Sequence, residues 1–427
     1  MKKILYVASS YGHILSFHIP YIRELHEMGF QVHVAAAGAF ENTESLDIPK
    51  IPVPFEKKML SPRNAACTLQ LIKLIKKERY DIISVHTTLA AFYVRMAVML
   101  IRGTKPKVIN TVHGYLFDYN TPILKRSILL WAEKLTRPAT DILVVMNQQD
   151  YEIAEKNHLY KDQLFKIPGF GIDTERFSKK KVEEKLLLFY KINNGNKNVM
   201  AANDMKAIRR TERLKFGIEE NDTVLIYAAE FSKRKNQKML IEAMMKLPQN
   251  VKLLLAGRGE RLEECQRLSE QLKLNSEATE GMNSEYRNRI LFLGHVKNLE
   301  DYYYISDICV SASRIEGLPF NIMEAMSMGL PIVATNVKGH QDLIEPGING
   351  YLFQFNDING FKDIIYHLLS EKTSKSFGGT NVTQEFPKQV QEKYVNMSEN
   401  NINKVQQYKL DDVIENIINI YKIENEI

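Results

Sequence analysis

The sequence predicts an α/β protein made of two Rossmann-like, doubly wound domains. Three observations carry this: a length of 427 residues, two series of short β-branched runs alternating with amphipathic stretches, and a polar, lysine-rich break between the series. A single hydrophobic core stops growing near about 250–300 residues, so a chain of this length needs at least two.

In the first series the runs are Ile4–Ala8, Val32–Ala36, Asp81–Val85, Val108–Thr111 and Ile142–Met146. They are nearly continuous in apolar residues, as expected of parallel strands covered by helices on both faces. Phe17–Met28, Ala65–Glu78 and Pro122–Thr136 between them have helical spacing. The second series runs through Val224–Ala228, Lys252–Ala256, Ile290–Phe292, Ile308–Val310 and Ile332–Ala334, with helices expected after Asn236, Glu260, Leu299 and Pro319. The expected domains are therefore residues 1–177, a linker with a polar insertion at 178–221, residues 222–408 with a polar insert at 370–408, and a C-terminal helix at 409–427 able to pack back on the first domain. No helix is assigned to the polar inserts.

With 44% hydrophobic and 25% charged residues, 21 Gly and 14 Pro, collagen-like, low-complexity and disordered classes are excluded. Cys67, Cys265 and Cys309 form no CxxC or Cys/His cluster, which argues for a reducing compartment and against structural zinc. The start reads as a strand, not a signal peptide, and the apolar stretch Leu89–Ile101 is too short to span a bilayer and carries Arg95. The expected location is cytoplasmic, with a peripheral position at the inner face of the cell membrane left open.

The formal charge is +6, and residues 1–178, with 23 Lys+Arg against 17 Asp+Glu, hold the whole excess. Patches lie at Lys57-Lys58, Lys73/Lys76/Lys77, Arg102/Lys105/Lys107 and Lys125-Arg126. They read as solvated helix faces or as attraction to anionic lipid or a phosphate-bearing acceptor. Aromatics are not interleaved with them, so nucleic acid is not an expected partner. Pro122–Lys134 carries bases and the sole tryptophan, Trp131, on an apolar frame. It suits either a core-facing helix or peripheral contact with an anionic membrane.

The segment from Ser311 to Pro331 carries most of the chemistry. It follows a strand, places Pro319 at a helix entrance, and places Gly329 where a helix of about three turns would end. Backbone N–H groups at Gly317, Leu318 and Phe320, on either side of Pro319, would then form an anion site suited to a diphosphate, aided by the helix dipole. Glu316 before the helix and Glu324 within it offer two acceptors for a hydroxyl-rich ligand, a sugar at one end and a ribose at the other.

Together with Pro331–Thr335, Gly339, Glu345 and Asn349-Gly350, this segment closely resembles the E-x7-E signature of family 4 retaining glycosyltransferases. Gly171-Ile172-Asp173 with Phe177, and Phe292–Val296, resemble further elements of that family, so the likeness spans nearly the whole chain. The resemblance implies the GT-B fold, with two Rossmann-like domains facing a central cleft, and has the flavour of bacterial capsular and exopolysaccharide enzymes. It implies that Glu316 contacts the transferred sugar, that Glu324 holds the donor ribose, and that Gly294, His295 and Val296 lie on the uracil side. Lys235 matches the family's diphosphate-clasping lysine, but Glu230 stands where arginine is usual, leaving Arg234 or Lys233 to supply the second cation. A solvated basic turn is the alternative there. No Asp-x-Asp triplet occurs, so no metal and no cofactor is expected.

In the first domain, Gly12 in the turn after the first strand permits close approach of a ligand. Thr111-Val112-His113 resembles the family's T-x-H element, so His113 would hydrogen-bond the donor sugar; a satisfied structural histidine is the alternative. His86, His13 and His18 are weaker candidates, the last two on the acceptor side. The expected function is transfer of a hexose or N-acetylhexosamine from a nucleotide sugar, by family tendency a UDP-sugar, to a glycan or lipid-linked acceptor. A sugar-nucleotide epimerase or hydrolase, or a non-catalytic UDP-binding scaffold, is the alternative. Retention could run through an ion pair or a covalent glycosyl-Glu316, and with one glutamate expected at the anomeric carbon the ion pair is favoured.

Overall fold

The structure, a computed structural model, describes residues 1–39, 48–56, 58–194, 203–275, 288–373 and 389–423. Lys57, residues 195–198 of the central polar patch and residues 374–388 of the later insert lie outside the described residues. The chain divides into two units, Met1–Gly171 with Leu410–Ile427, and Ile172–Lys409.

The first unit begins β1 (Lys3–Val7), α1 (Tyr11–Phe17), α2 (Ile19–Glu27), β2 (Gln31–Ala36) and β3 (Lys50–Pro52). It continues α3 (Pro62–Glu78), β4 (Ile82–His86), α4 (Thr88–Leu100), β5 (Lys107–Val112), α5 (Ile123–Thr136), β6 (Ile142–Val145), α6 (Gln148–Lys156) and β7 (Gln163–Lys166). The strands form a parallel sheet in the order β3-β2-β1-β4-β5-β6-β7. Leu5, Val7, Ile83, Val85 and Val108 are fully buried under α3 and α4, as two-sided covering requires. The helix expected over Phe17–Met28 is α2, and a separate helix, α1, precedes it, with a break at His18. Pro20 explains the break: it has no N–H for the carbonyl four residues back, and its ring crowds that carbonyl. The edge strands β3 and β7 escape the sequence pattern because they are three and four residues long and only partly buried.

The second unit starts with α7 (Lys179–Asn194) and α8 (Asn203–Leu214). There follow β8 (Thr223–Ala228), α9 (Gln237–Met244), β9 (Val251–Ala256), α10 (Leu262–Gln271), β10 (Ile290–Gly294) and α11 (Leu299–Ile305). Then come β11 (Ile308–Ser311), α12 (Phe320–Ser327), β12 (Ile332–Thr335), α13 (His340–Leu343), β13 (Gly350–Phe353), α14 (Ile358–Thr373) and α15 (Gln389–Val405). Its sheet is parallel, in the order β10-β9-β8-β11-β12-β13. The chain then returns to the first unit as α16 (Leu410–Ile423), where Tyr421 OH lies 2.6 Å from Ser84 Oγ of β4.

Two expectations are corrected here. Residues 178–221 are not a linker: α7 and α8 belong to the second unit, and the boundary falls at Gly171/Ile172. Arg209 and Arg213 on α8 fasten it there, reaching Asp307 at 3.0 and 2.5 Å, and Asp307 also accepts the Val224 amide at 2.8 Å. Helix α15 likewise occupies much of the later polar insert. One of its asparagines turns inward: Asn401 is fully buried and donates to the Leu330 and Asn349 carbonyls at 2.9 and 2.8 Å.

Asp307 thus joins α8 to the start of β8. Breaking a buried charge pair costs about 3–5 kcal/mol because the partner is left uncompensated. Asp307→Ala is expected to lower the stability of the second unit by that order, read as a shift of its urea unfolding midpoint; a shift within about 0.5 M of the wild type would contradict this role.

Candidate active site

In the second unit the loop between β11 and α12 holds Glu316, a buried carboxylate. Lys235 Nζ lies 2.5 Å from its Oε1, and Arg234 donates from NH1 to its Oε2 at 3.0 Å and to the Ile315 carbonyl at 3.2 Å. Both cations come from the turn after β8, whose backbone is tied in by Arg314 N donating to the Arg234 carbonyl at 2.8 Å. Burial alone would raise the Glu316 pKa; Lys235 foremost, then Arg234 and His340, outweigh it and hold the carboxyl at about 2. Burial pulls Lys235 below the usual lysine value, and Glu316 offsets this only in part. Glu230, at the place of the family arginine, is exposed, and its carbonyl accepts from the side chain of Gln237 at 2.9 Å. The structure therefore unites Glu316, Lys235 and Arg234, while Lys233 stays exposed.

Beneath the loop, Gly339 adopts φ +80, and a Cβ there would fall 2.3 Å from the Gly317 carbonyl oxygen. Glycine is needed both for that dihedral and for that approach. His340 follows it, fully buried, with Nδ1 donating to the Thr335 carbonyl at 2.8 Å. Its Nε2 has no hydrogen-bond partner, and burial lowers its pKa to about 4. Leu318 and Pro319 are buried and lead into α12, which has eight residues, nearer two turns than three, and ends before Gly329 at φ +72.

Glu324 sits on α12. Tyr303 on α11 donates to its Oε2 at 3.2 Å and to the Asn321 carbonyl at 3.0 Å. Burial raises the Glu324 pKa to about 7, against the pull of the Tyr303 hydroxyl. Gly294 closes β10 at φ +65 and accepts the Gly257 amide at 2.6 Å; His295 is exposed and Val296 half-buried.

In the first unit, His86 ends β4 and His113 follows β5, so both stand at the C-terminal edge of the sheet, where open α/β sheets bind ligands. His86 Nδ1 lies 3.3 Å from His113 Nε2, and His86 Nε2 lies 2.9 Å from Ser84 Oγ. His13 and His18, from α1 and the α1–α2 junction, join them, with ring centroids 4.9 and 5.2 Å from His113. Phe170 stacks on His113 at 4.9 Å. Burial foremost lowers the pKa of all four imidazoles, His13 to about 4. Gly12 lies not in a turn but in the first turn of α1, with open space where a Cβ would stand. At the opposite edge, Lys2, Lys76, Arg79, Arg102, Lys105 and Lys107 line a cavity of about 740 Å³, gathering two of the basic patches.

Tyr303, His340 and Phe170 were not singled out by sequence reasoning. A tyrosine or phenylalanine in an apolar run reads as core, and His340 carries a signal only through its neighbour Gly339.

Residues 21–176 match the model of Glycosyltransferase Family 4, and residues 208–381 that of Glycosyl transferases group 1. The chain is 30% identical over 372 residues to EpsD of Bacillus subtilis, covering 86% of this chain and 88% of that protein. It is 27% identical over 345 residues to the UDP-Gal:alpha-D-GlcNAc-diphosphoundecaprenol alpha-1,3-galactosyltransferase of Escherichia coli, covering 77% and 79%. Among solved structures, Anabaena HepE in complex with UDP superposes with a TM-score of 0.67 at 17% identity, over 99% of this chain and 100% of that one. WaaG, a glycosyltransferase involved in lipopolysaccharide biosynthesis, does so with a TM-score of 0.65 at 15% identity, over 98% and 99%. These likenesses share the GT-B fold.

The raised pKa of Glu324 has a signed consequence. Its folded value of about 7 lies above the unfolded carboxylate value, so its contribution is complete below about 4.5 and lost as pH rises through 7. The difference in thermal midpoint between wild type and Glu324→Gln is expected to move toward the variant between pH 5 and 8. A difference that stays constant over that window would contradict the assigned burial.

Proposed function

We propose, from the premise that the chain belongs to the family 4 glycosyltransferases, that this glycosyltransferase moves a hexose or N-acetylhexosamine from a UDP-sugar, with retention, to a glycan or lipid-linked oligosaccharide in surface-polysaccharide synthesis. The observation that carries this reading is the buried Glu316 paired with Lys235 and the more exposed Arg234 at the entrance to α12. Two cations beside a helix N-terminus suit a diphosphate, whose growing negative charge they neutralise as it leaves. The bond from the anomeric carbon to the β-phosphate oxygen breaks, a bond to the acceptor oxygen forms on the same face, and the acceptor's proton passes to the departing phosphate oxygen. Glu316 stabilises the positive charge that develops on the sugar. Glu324 accepts hydrogen bonds from the ribose hydroxyls. The UDP-sugar donor and diphospholipid acceptor in the name of the E. coli relative, and the UDP bound to HepE, support the choice of ligands.

Peripheral attachment belongs to the same reading. Helix α5 exposes Ile123, Leu124, Ile128 and Trp131 at 74, 76, 59 and 63%, which disfavours the core-facing alternative. Lys125, Arg126 and Lys134 accompany them on an amphipathic helix suited to the interface of an anionic bilayer. No described helix is long and apolar enough to cross a membrane.

Two measurements test these statements. Glu316→Gln is expected to lower the turnover number with a UDP-hexose and a diphospholipid-linked acceptor by roughly 10²–10³, while UDP binding changes far less; unchanged turnover would remove Glu316 from the chemistry, and UDP release without acceptor would favour a hydrolase. In flotation with phosphatidylglycerol vesicles, the wild type should float and the Ile123→Glu, Trp131→Glu double variant should stay at the bottom. Equal flotation of both would contradict the role of α5.

A further inference from the structure

The histidines of the first unit go beyond what sugar transfer requires. His13, His18 and His113 each offer one ring nitrogen, and these nitrogens lie within 4.8 Å of one another. His18 is fully buried, and its Nε2, like that of His13, is a buried atom with no hydrogen-bond partner. Unpaired buried nitrogens are costly, so two of them beside a third imidazole mark a place that a ligand completes. Among the described residues no carboxylate takes part in the cluster, which leaves neutral imidazoles as the donor set.

The remaining nitrogens are held from behind. His18 Nδ1 lies 2.8 Å from Tyr6 OH, and His113 Nε2 faces His86 Nδ1 at 3.3 Å. His86 is itself held by Ser84 Oγ at 2.9 Å, which meets Tyr421 OH at 2.6 Å. Phe170 lies against both His113 and His18, fixing the ring planes. Outer partners that set the orientation of imidazoles are the usual support of metal-ligating histidines.

We propose that His13, His18 and His113 form a three-imidazole site for a borderline divalent transition cation of the zinc class, with Tyr6 and His86 as positioning residues. Tetrahedral bonds of about 2.0–2.1 Å space the ligand nitrogens about 3.3 Å apart, so small ring rotations close the present spread. Imidazole donors select Zn²⁺, Co²⁺ or Ni²⁺ over Mg²⁺ and Ca²⁺. With three protein ligands, a fourth position remains open to a water or an anionic oxygen. This site departs from the expectation of no metal drawn from the sequence, because the three histidines are scattered over about 100 residues and only the sheet edge unites them.

The test is titration of the untagged full chain with Co²⁺, followed by visible absorption and calorimetry, neither of which depends on transferase activity. One equivalent should bind with the absorption bands of a four-coordinate nitrogen site, compete with Zn²⁺, and be unaffected by millimolar Mg²⁺. His13→Gln and His18→Gln should each weaken binding at least tenfold, and Tyr6→Phe to a smaller extent, while His26→Gln leaves it unchanged. Should the His18 variant fail to fold by circular dichroism, the half-buried His13 position decides alone. Absence of one-equivalent binding in the wild type, as for a pocket filled only by water, overturns the proposal, as does binding unaltered by His13→Gln.

Discussion

The site in the second unit depends on one electrostatic constraint: a carboxylate inside the protein must be matched by cations. Glu316 is nearly removed from water, and burial alone would drive it toward its neutral form. Lys235 and Arg234 reverse that outcome, and each needs the carboxylate in turn, Lys235 most of all because it too is largely buried. This mutual need fixes the turn after β8 against the loop after β11. It also keeps two cations at the entrance to α12, where an incoming diphosphate would have to share them with Glu316.

Parallel topology explains why chemistry collects where it does. In each unit the strands run the same way, so the ends of β4 and β5, or of β8, β11 and β12, deliver loops to one edge. His86 and His113 arrive together in the first unit by this route. Lys235, Glu316 and His340 do so in the second. Residues far apart along the chain become neighbours through sheet order.

The sequence reveals the strands that are buried on both faces, because a continuous β-branched run of four to six residues suits little except a strand covered above and below. It conceals β3, β7 and β13, which are edge strands of three or four residues, the first two also of mixed polarity. It also misleads at α7, α8 and α15, where lysines and asparagines suggest solvent although Arg213 and Asn401 are spent inward. Glu316, Glu324 and Lys235 are legible through their motif. Tyr303 and His340 are not, since their importance lies in the atoms they face, and spacing along the chain does not record that.

The most direct measurement is the titration of the Glu316 carboxyl carbon by nuclear magnetic resonance, in the free protein and with UDP. The account predicts a carboxyl that stays ionised down to about pH 2 when free, and a higher pKa once the diphosphate draws Lys235 and Arg234 toward itself. An ordinary carboxylate titration near about 4.5 in the free protein, unmoved by UDP, would contradict it.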